Sequence, residues 1–111
     1  MSKVIELNDE SFKTAVAAAP LAFVDFYADW CGPCRLFSPV FARVAEKHAD
    51  LAFFKIDGDL HPESRGDMTI DNLPFVAAFR HGKFVEGFST TLEVGLETFI
   101  ARLRGQDEDA K

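Results

Sequence analysis

Residues Leu21–Tyr27 form a nearly continuous apolar run with the sequence LAFVDFY. A strand with one face in solvent alternates apolar and polar side chains, whereas a strand covered on both faces is apolar throughout. Strands of the second kind occur mainly in parallel sheets that carry helices on each side. The run therefore predicts a central strand in an α/β domain. Asp25 is the one acid inside the run, and its position predicts a buried carboxyl group.

Four further segments have the composition of strands. They are residues 4–7, 51–57, 75–79 and 83–88. The last two are separated by 80–82, a connection of hairpin length that contains glycine, so we expect them to pair antiparallel. Together with the helical segments between them, these runs predict a mixed sheet in the order β-α-β-α-β-α-β-β-α.

Helical patterns lie between the predicted strands. The first helix follows Asn8, a candidate N-cap, and ends at Pro20. The second has apolar residues at helical spacing over 37–45, and Pro39 inside it is expected to kink it. A short third helix is predicted over 61–66.

The last helix has a predicted start and a predicted end. Thr90 and Glu93 form the T-x-x-E pattern of a capping box, and Gly105 is the expected C-cap. The polar residues 106–111 are expected to fray. Because no linker or internal repeat interrupts the chain, residues 1–111 are predicted to form one domain.

The charge and the N-terminus restrict the classes of partner and compartment. A formal net charge of -6 disfavours nucleic acid and anionic membrane surfaces as partners. No apolar stretch approaches the roughly 20 residues that span a bilayer. The N-terminus lacks the basic region, apolar run and cleavage site of a signal peptide. We therefore expect a cytoplasmic protein, in which a cysteine pair is more often catalytic or metal-binding than structural.

Both cysteines of the chain stand in the motif Trp30-Cys31-Gly32-Pro33-Cys34. The motif lies at the junction between the central strand and the helix that follows it. A C-x-x-C pair at such a junction is typical of thiol–disulfide exchange. At the start of a helix, Cys31 faces unpaired backbone N–H groups and the positive end of the helix dipole, and both favour the thiolate.

The chain resembles the thioredoxin family over residues 4–103. The resemblance rests on the string VDFYADWCGPCR over 24–35, and on Pro39, Lys55-Ile56-Asp57, Leu73-Pro74 and Phe79-Arg80-His81-Gly82. It implies the thioredoxin fold, with a central mixed sheet of five strands flanked by four helices. It also implies a monomeric protein-disulfide reductase of electron transport and cell redox homeostasis. Such a protein needs no bound cofactor and receives electrons from an NADPH-dependent thioredoxin reductase.

The resemblance assigns the chemistry to three residues. Cys31 is the exposed thiol that attacks a protein disulfide, Cys34 resolves the mixed disulfide from inside, and Asp25 manages the proton of Cys34. Desolvation should raise the pKa of Asp25. The family often has a lysine near this acid, but the aligned positions here are Phe53 and Phe54, so no cation is expected there.

The predicted substrate-binding residues are Trp30, Gly32, Pro33, Leu73 and Pro74. A cis bond between Leu73 and Pro74 would bring the proline against the cysteines, and the Leu73 backbone would then pair with an extended substrate. The absence of histidine between the cysteines implies a reductant rather than an oxidant. Trp30 has two interpretations, as packing beside the site or as a rim that contacts partners.

The predicted recognition surface departs from the family pattern. Asp71 and Asn72 stand where small or basic residues are usual, and Phe75 stands where threonine is usual. Residues 89–91 replace a glycine that is expected before the last helix. These differences predict a narrower range of clients, and the charge of Asp71 should disfavour acidic ones.

Three other interpretations remain open from the residues alone. A zinc site is disfavoured because one C-x-x-C supplies two of four ligands and the three histidines lack paired spacing. A structural disulfide is disfavoured because so short a loop removes little unfolded-state entropy. The alternative function is a thioredoxin-fold subunit that binds a partner irrespective of its redox state, since such a role leaves no motif.

Overall fold

The structure is a computed structural model that describes residues 3–109, with side chains described for 3–105. Within these residues five strands form one sheet in the order β1-β3-β2-β4-β5. The strands are β1 (Ile5–Leu7), β2 (Leu21–Tyr27), β3 (Ala52–Asp57), β4 (Phe75–Arg80) and β5 (Lys83–Ser89). β3 is parallel to β1 and β2, whereas β4 is antiparallel to β2 and β5. The predicted mixed sheet of five strands is confirmed.

The described helical segments are α1 (Phe12–Ala17), α2 (Gly32–Lys47), α3 (Glu93–Asp109) and a 3₁₀ helix (Pro62–Arg65). Three of the four predicted helices are therefore α-helices, and the short one predicted over 61–66 is a 3₁₀ helix. It ends at Gly66, whose φ of 55° departs from helical geometry. α2 continues through Pro39. No helix of residues 3–109 has the length and apolarity needed to cross a membrane.

The central strand β2 is covered on both faces, as its composition predicts. Phe23 packs with side chains of α2 and α3 on one face. Val24 and Phe26 pack with α1 on the other face. Because side chains alternate along a strand, Asp25 lies on the α2 side, with Phe23. β2 therefore carries a carboxyl group into the apolar layer beneath α2.

The predicted N-cap of the first helix is wrong. α1 begins at Phe12, and its N-cap is Ser11. The Oδ1 atom of Asn8 accepts hydrogen bonds from the backbone N–H groups of Glu10 and Ser11, each at 2.9 Å. Asn8 therefore closes a turn that precedes the helix, a role to which its short side chain is equally suited.

The predicted capping box of the last helix is also absent. The Thr90 hydroxyl accepts a hydrogen bond from the backbone N–H of Leu92 at 3.1 Å. Glu93 is the first residue of α3 instead of its third, and its carboxylate binds Arg43 and Lys47 of α2, each at 2.9 Å. The Glu93 side chain, which the sequence pattern assigns to the helix cap, thus forms ion pairs with another helix instead.

The predicted C-cap at Gly105 is wrong, because α3 continues to Asp109. Among the described glycines only Gly66 and Gly82 have a positive φ, so Gly105 lacks the conformation of a C-cap glycine. Fraying over 106–111 and a single domain over 1–111 stay predictions.

Replacing Gly105 with alanine should raise the free energy of unfolding by about 0.5–1 kcal/mol, since alanine loses less backbone entropy inside a helix. A Cβ at this position would meet no atom within 4 Å. Denaturant unfolding of both proteins measures the difference. A destabilised variant would instead indicate a left-handed glycine and contradict the extent of α3.

Gly87 on β5 makes room for the ring of Phe75 on β4. A Cβ at Gly87 would overlap the Phe75 ring and approach the Val76 carbonyl oxygen at 3.1 Å. Gly87→Ala should therefore lower the free energy of unfolding by about 1–3 kcal/mol. A double-mutant cycle with Phe75→Thr should recover most of this loss. Additive effects would contradict the assignment of the strain to the ring.

Candidate active site

Cys31 and Cys34 form a disulfide at the start of α2, with their Cα atoms 5.3 Å apart. Cys31 is the N-cap residue, and its Sγ accepts a hydrogen bond from the backbone N–H of Cys34 at 3.2 Å. Pro33 lies in the first turn, where no intrahelical partner exists for the N–H that it lacks. In the reduced form, the same N–H group and the positive end of the helix dipole favour a thiolate at Cys31.

The prediction that Cys31 is exposed is wrong for this disulfide form. Cys31 is 5% exposed and Cys34 is 3% exposed. Ala28 shares their buried cluster, and Tyr27 and Leu73 pack against it. A client therefore reaches the sulfur through a cleft, not on an open surface.

That cleft has a volume of about 460 Å³ and contains most of the predicted substrate-binding residues. Its lining includes Trp30, Cys31, Gly32, Pro33, Gly58, Asp59, Arg65, Ile70, Asp71, Asn72 and Leu73. Trp30 is 70% exposed, and its Nε1–H donates to Asp59 Oδ2 at 3.2 Å. This exposure favours the interpretation of Trp30 as a rim that contacts partners.

The peptide bond between Leu73 and Pro74 is cis, as predicted. Pro74 is buried directly before β4, while Leu73 packs against the cysteines. The loop is held on its other side by Ser89, whose hydroxyl donates to the carbonyl oxygen of Asn72 at 2.9 Å. Two segments that depart from the family pattern, 71–72 and 89–91, therefore contact each other beside the cleft.

A second cavity, of about 130 Å³, reaches Cys34 instead of Cys31. Asp25, Lys55 and Cys34 contribute to its walls. Asp25 is 2% exposed, and its Oδ1 has no hydrogen-bond partner among the described residues. The cavity is large enough to hold a water molecule, and its walls include polar side chains that could bind one. The structure thus brings the predicted acid and the inner cysteine to one cavity.

Burial raises the pKa of Asp25 to about 7, and the positive charge of Lys55 partly opposes this shift. The prediction that no cation lies near this acid is wrong. In the parallel register of β2 and β3, Asp25 is the direct partner of Lys55, whereas Phe53 pairs with Phe23. Alternation along β3 puts Lys55 on the same face as Phe53, but its pairing with Asp25 depends also on the register between β2 and β3.

Lys55 also faces a second carboxylate, on β1. Glu6 is the register partner of Lys55 on that side, and its Oε1 lies 4.0 Å from Lys55 Nζ. The Tyr27 hydroxyl donates to the other carboxylate oxygen of Glu6. Burial, followed by this hydrogen bond, raises the pKa of Tyr27. Lys55 thus lies between two acids, and its charge offsets only part of the effect of burial on the pKa of Asp25.

Metal binding has no visible basis in the part of the chain that the structure describes. There, no group of three or more histidine, cysteine, aspartate or glutamate side chains is arranged to hold a metal ion. The site is therefore described by its disulfide, its cleft and its buried acid.

Comparisons with known proteins agree with this geometry. The family model Thioredoxin matches residues 3–102. The putative thioredoxin 2 of Streptomyces coelicolor is 34% identical over 110 residues, which cover 98% of this chain and 82% of that protein. The thioredoxin of Mus musculus is 34% identical over 102 residues, which cover 90% of this chain and 96% of that protein.

Solved structures show the same architecture. The thioredoxin of Fasciola hepatica superposes with a TM-score of 0.81 at 28% identity, covering 89% of this chain and 98% of that one. A thioredoxin f2, solved in complex with ferredoxin:thioredoxin reductase, gives a TM-score of 0.85 at 23% identity, covering 93% and 97%. The predicted thioredoxin fold is thus confirmed, and the chain belongs to the thioredoxin family.

Proposed function

We propose that this protein is a thiol–disulfide oxidoreductase that reduces disulfides in other proteins. The observation that carries the proposal is the Cys31–Cys34 disulfide at the start of α2 in a chain of the thioredoxin family. One cysteine opens to a cleft, and the other opens to a cavity with a buried acid. An attacking thiol and a resolving thiol need these two different environments.

The reaction has two exchange steps. The Cys31 thiolate attacks one sulfur of the client disulfide, so a mixed disulfide forms and the other client sulfur leaves as a thiolate. The Cys34 thiolate then attacks Cys31 Sγ, which breaks the mixed disulfide and releases the second client thiolate. The client gains two electrons, and the protein is left with the Cys31–Cys34 disulfide that the structure shows.

In the second step, Asp25 accepts the proton of the Cys34 thiol. A carboxyl group with a pKa of about 7 changes its protonation state near neutral pH, which suits a general base. Asp25 and Cys34 share the inner cavity, where a water molecule can connect them. Lys55 limits the rise of this pKa and so keeps the base form available.

The proposal also includes the binding of the client, the source of electrons and the cellular location. An extended client segment enters the cleft beside Trp30 and pairs with the backbone of Leu73. A thioredoxin reductase that uses NADPH then restores the dithiol form, as membership of the thioredoxin family favours. We place this electron-transport role in the cytoplasm and assign it to a monomer.

Insulin reduction tests the proposed function. The protein should precipitate insulin chains with dithiothreitol as reductant, and also with NADPH and a thioredoxin reductase, whereas Cys31→Ser, Cys34→Ser should do neither. Activity with dithiothreitol alone would keep the chemistry and exclude this electron donor. A double variant that retained full biological function would favour the redox-independent binding role.

Asp25→Asn should slow the release of the client by at least about tenfold near neutral pH, since general bases contribute factors of this size or more. Single-turnover measurements should show the wild-type release rate rising with pH around a midpoint of about 7, the pKa of Asp25. The variant should lose this inflection. Asp29→Asn, at an exposed acid on the same cavity, is the matched control and should keep it. Equal release rates in both variants would exclude the proton-transfer role.

Burial of Asp25 also predicts how stability depends on pH. The folded-state pKa of about 7 lies above the ordinary value of 3.8 for an aspartate, so the folded state binds the proton more tightly. The contribution of Asp25 to the stability of the oxidised protein is therefore fully present below about pH 4. It is lost as the pH rises from 4 through 7. Asp25→Asn should remove this fall and be about 2–4 kcal/mol more stable than wild type in mildly alkaline buffer. Denaturant titrations across this pH range measure it, and parallel pH profiles would contradict the buried acid.

A further inference from the structure

We propose that Arg65 selects clients, by binding an acidic side chain that lies a few residues from the client cysteine in the sequence. The inference rests on the proposed function and names a substrate class for it. Arg65 ends the 3₁₀ helix and lines the same cleft as Cys31. It was not among the residues that the sequence predicted for this surface.

Arg65 differs from the other arginines in its contacts. Among the residues that the structure describes, it is the one arginine whose side chain makes no hydrogen bond or ion pair. The partners of the others are the Asp29 carbonyl for Arg35, Glu93 for Arg43, the Leu103 carbonyl for Arg80, Glu86 for Arg102 and Asp50 for Arg104. A guanidinium group offers a planar fork of donors that matches a carboxylate. This fork is available in the cleft through which the client enters.

The backbone that carries Arg65 is held in place. The preceding residue, Ser64, is buried, and both its backbone N–H and its hydroxyl donate to Asp9 Oδ1, at 2.9 and 2.7 Å. Gly66 follows with a φ of 55°, so the chain turns directly after Arg65. The methylene carbons of Arg65 lie beside Gly58, another residue of the cleft. A side chain on a fixed backbone loses less freedom on binding than one on a mobile loop.

The position of Arg65 indicates where the acid belongs in the client. Arg65 also borders a second groove, of about 610 Å³, between α1, the 3₁₀ helix and the turn from β4 to β5. It therefore stands where the cleft at Cys31 meets this groove, at some distance along the client from the reacting sulfur. Asp71 lines the cleft but does not border that groove. Because Asp71 is negatively charged, it repels an acidic client residue that lies near it.

The negative charge of the rest of the protein restricts the preference for acidic client residues to the vicinity of Arg65. The net charge of -6 disfavours acidic clients at long range. Asp59 in the same cleft already accepts the indole N–H of Trp30. Among the described residues that line the cleft at Cys31, Arg65 is the one lysine or arginine, so it favours clients in which one acid is correctly placed over clients that are acidic throughout.

A peptide series tests the inference. Each peptide carries one cysteine, linked to thionitrobenzoate as a chromogenic leaving group, and a single aspartate that is moved along the residues on either side. The reference peptide has asparagine in place of the aspartate. The reduced wild-type protein should cleave one or two of the aspartate peptides about two- to fivefold faster than the reference at low ionic strength, a factor typical of an exposed ion pair. Salt should abolish this advantage.

Arg65→Gln should lower the ratio of the aspartate-peptide rate to the reference-peptide rate to about one, whatever its rate with the reference peptide. Lys83→Gln is the matched control, because it removes the same charge from the second groove without touching the cleft. Equal aspartate preference in Arg65→Gln and wild type would overturn the inference, as would an equal loss in Lys83→Gln. Failure of the wild type to reduce either insulin or the reference peptide would overturn the proposed function, and this inference with it.

Discussion

The burial of β2 on both faces is the constraint on which the site depends. It provides much of the apolar contact of the sheet, since Phe23 and Phe26 are fully buried on opposite sides. It also removes water from the carboxyl group of Asp25, which lies between them in sequence. Desolvation is therefore the dominant influence on this acid, and its pKa of about 7 follows from the same packing that stabilises the fold. Folding and proton chemistry are coupled through one strand.

The order of the strands determines which charges lie near Asp25 and act on its pKa. β3 lies between β1 and β2, so Lys55 has one acid on each side, Glu6 and Asp25. A lysine devoted to Asp25 alone would favour the ionised carboxylate more strongly. The helix that follows β2 begins at the cysteines, so the sulfur of Cys34 comes to the same cavity as the acid. A strand, its neighbour and one helix N-terminus thus build the whole reaction centre.

What the sequence could predict depended on how local the interaction is. The strands, the active-site disulfide and the cis bond before Pro74 follow from patterns within a short segment or from the family motif, and they were predicted correctly. The capping role of Glu93 was wrong because α2 supplies two cations to its carboxylate from distant positions. Lys55 was missed because the register of two parallel strands is fixed by packing and not by either strand alone. The burial of Cys31 depends likewise on how Leu73 packs against it.

The same distinction separates chemistry from recognition in this protein. The reacting groups lie on β2 and at the start of α2, elements that the packing of the sheet and its helices holds in place. The cleft, by contrast, is built from 58–59, 70–73 and the end of the 3₁₀ helix. The backbone at Arg65 is fixed by a contact between Ser64 and Asp9, which are 55 residues apart in sequence. Substitutions of Asp59, Arg65 or Asp71 can therefore change the charge pattern that a client meets without replacing the disulfide or its acid, so client choice can vary independently of the exchange reaction.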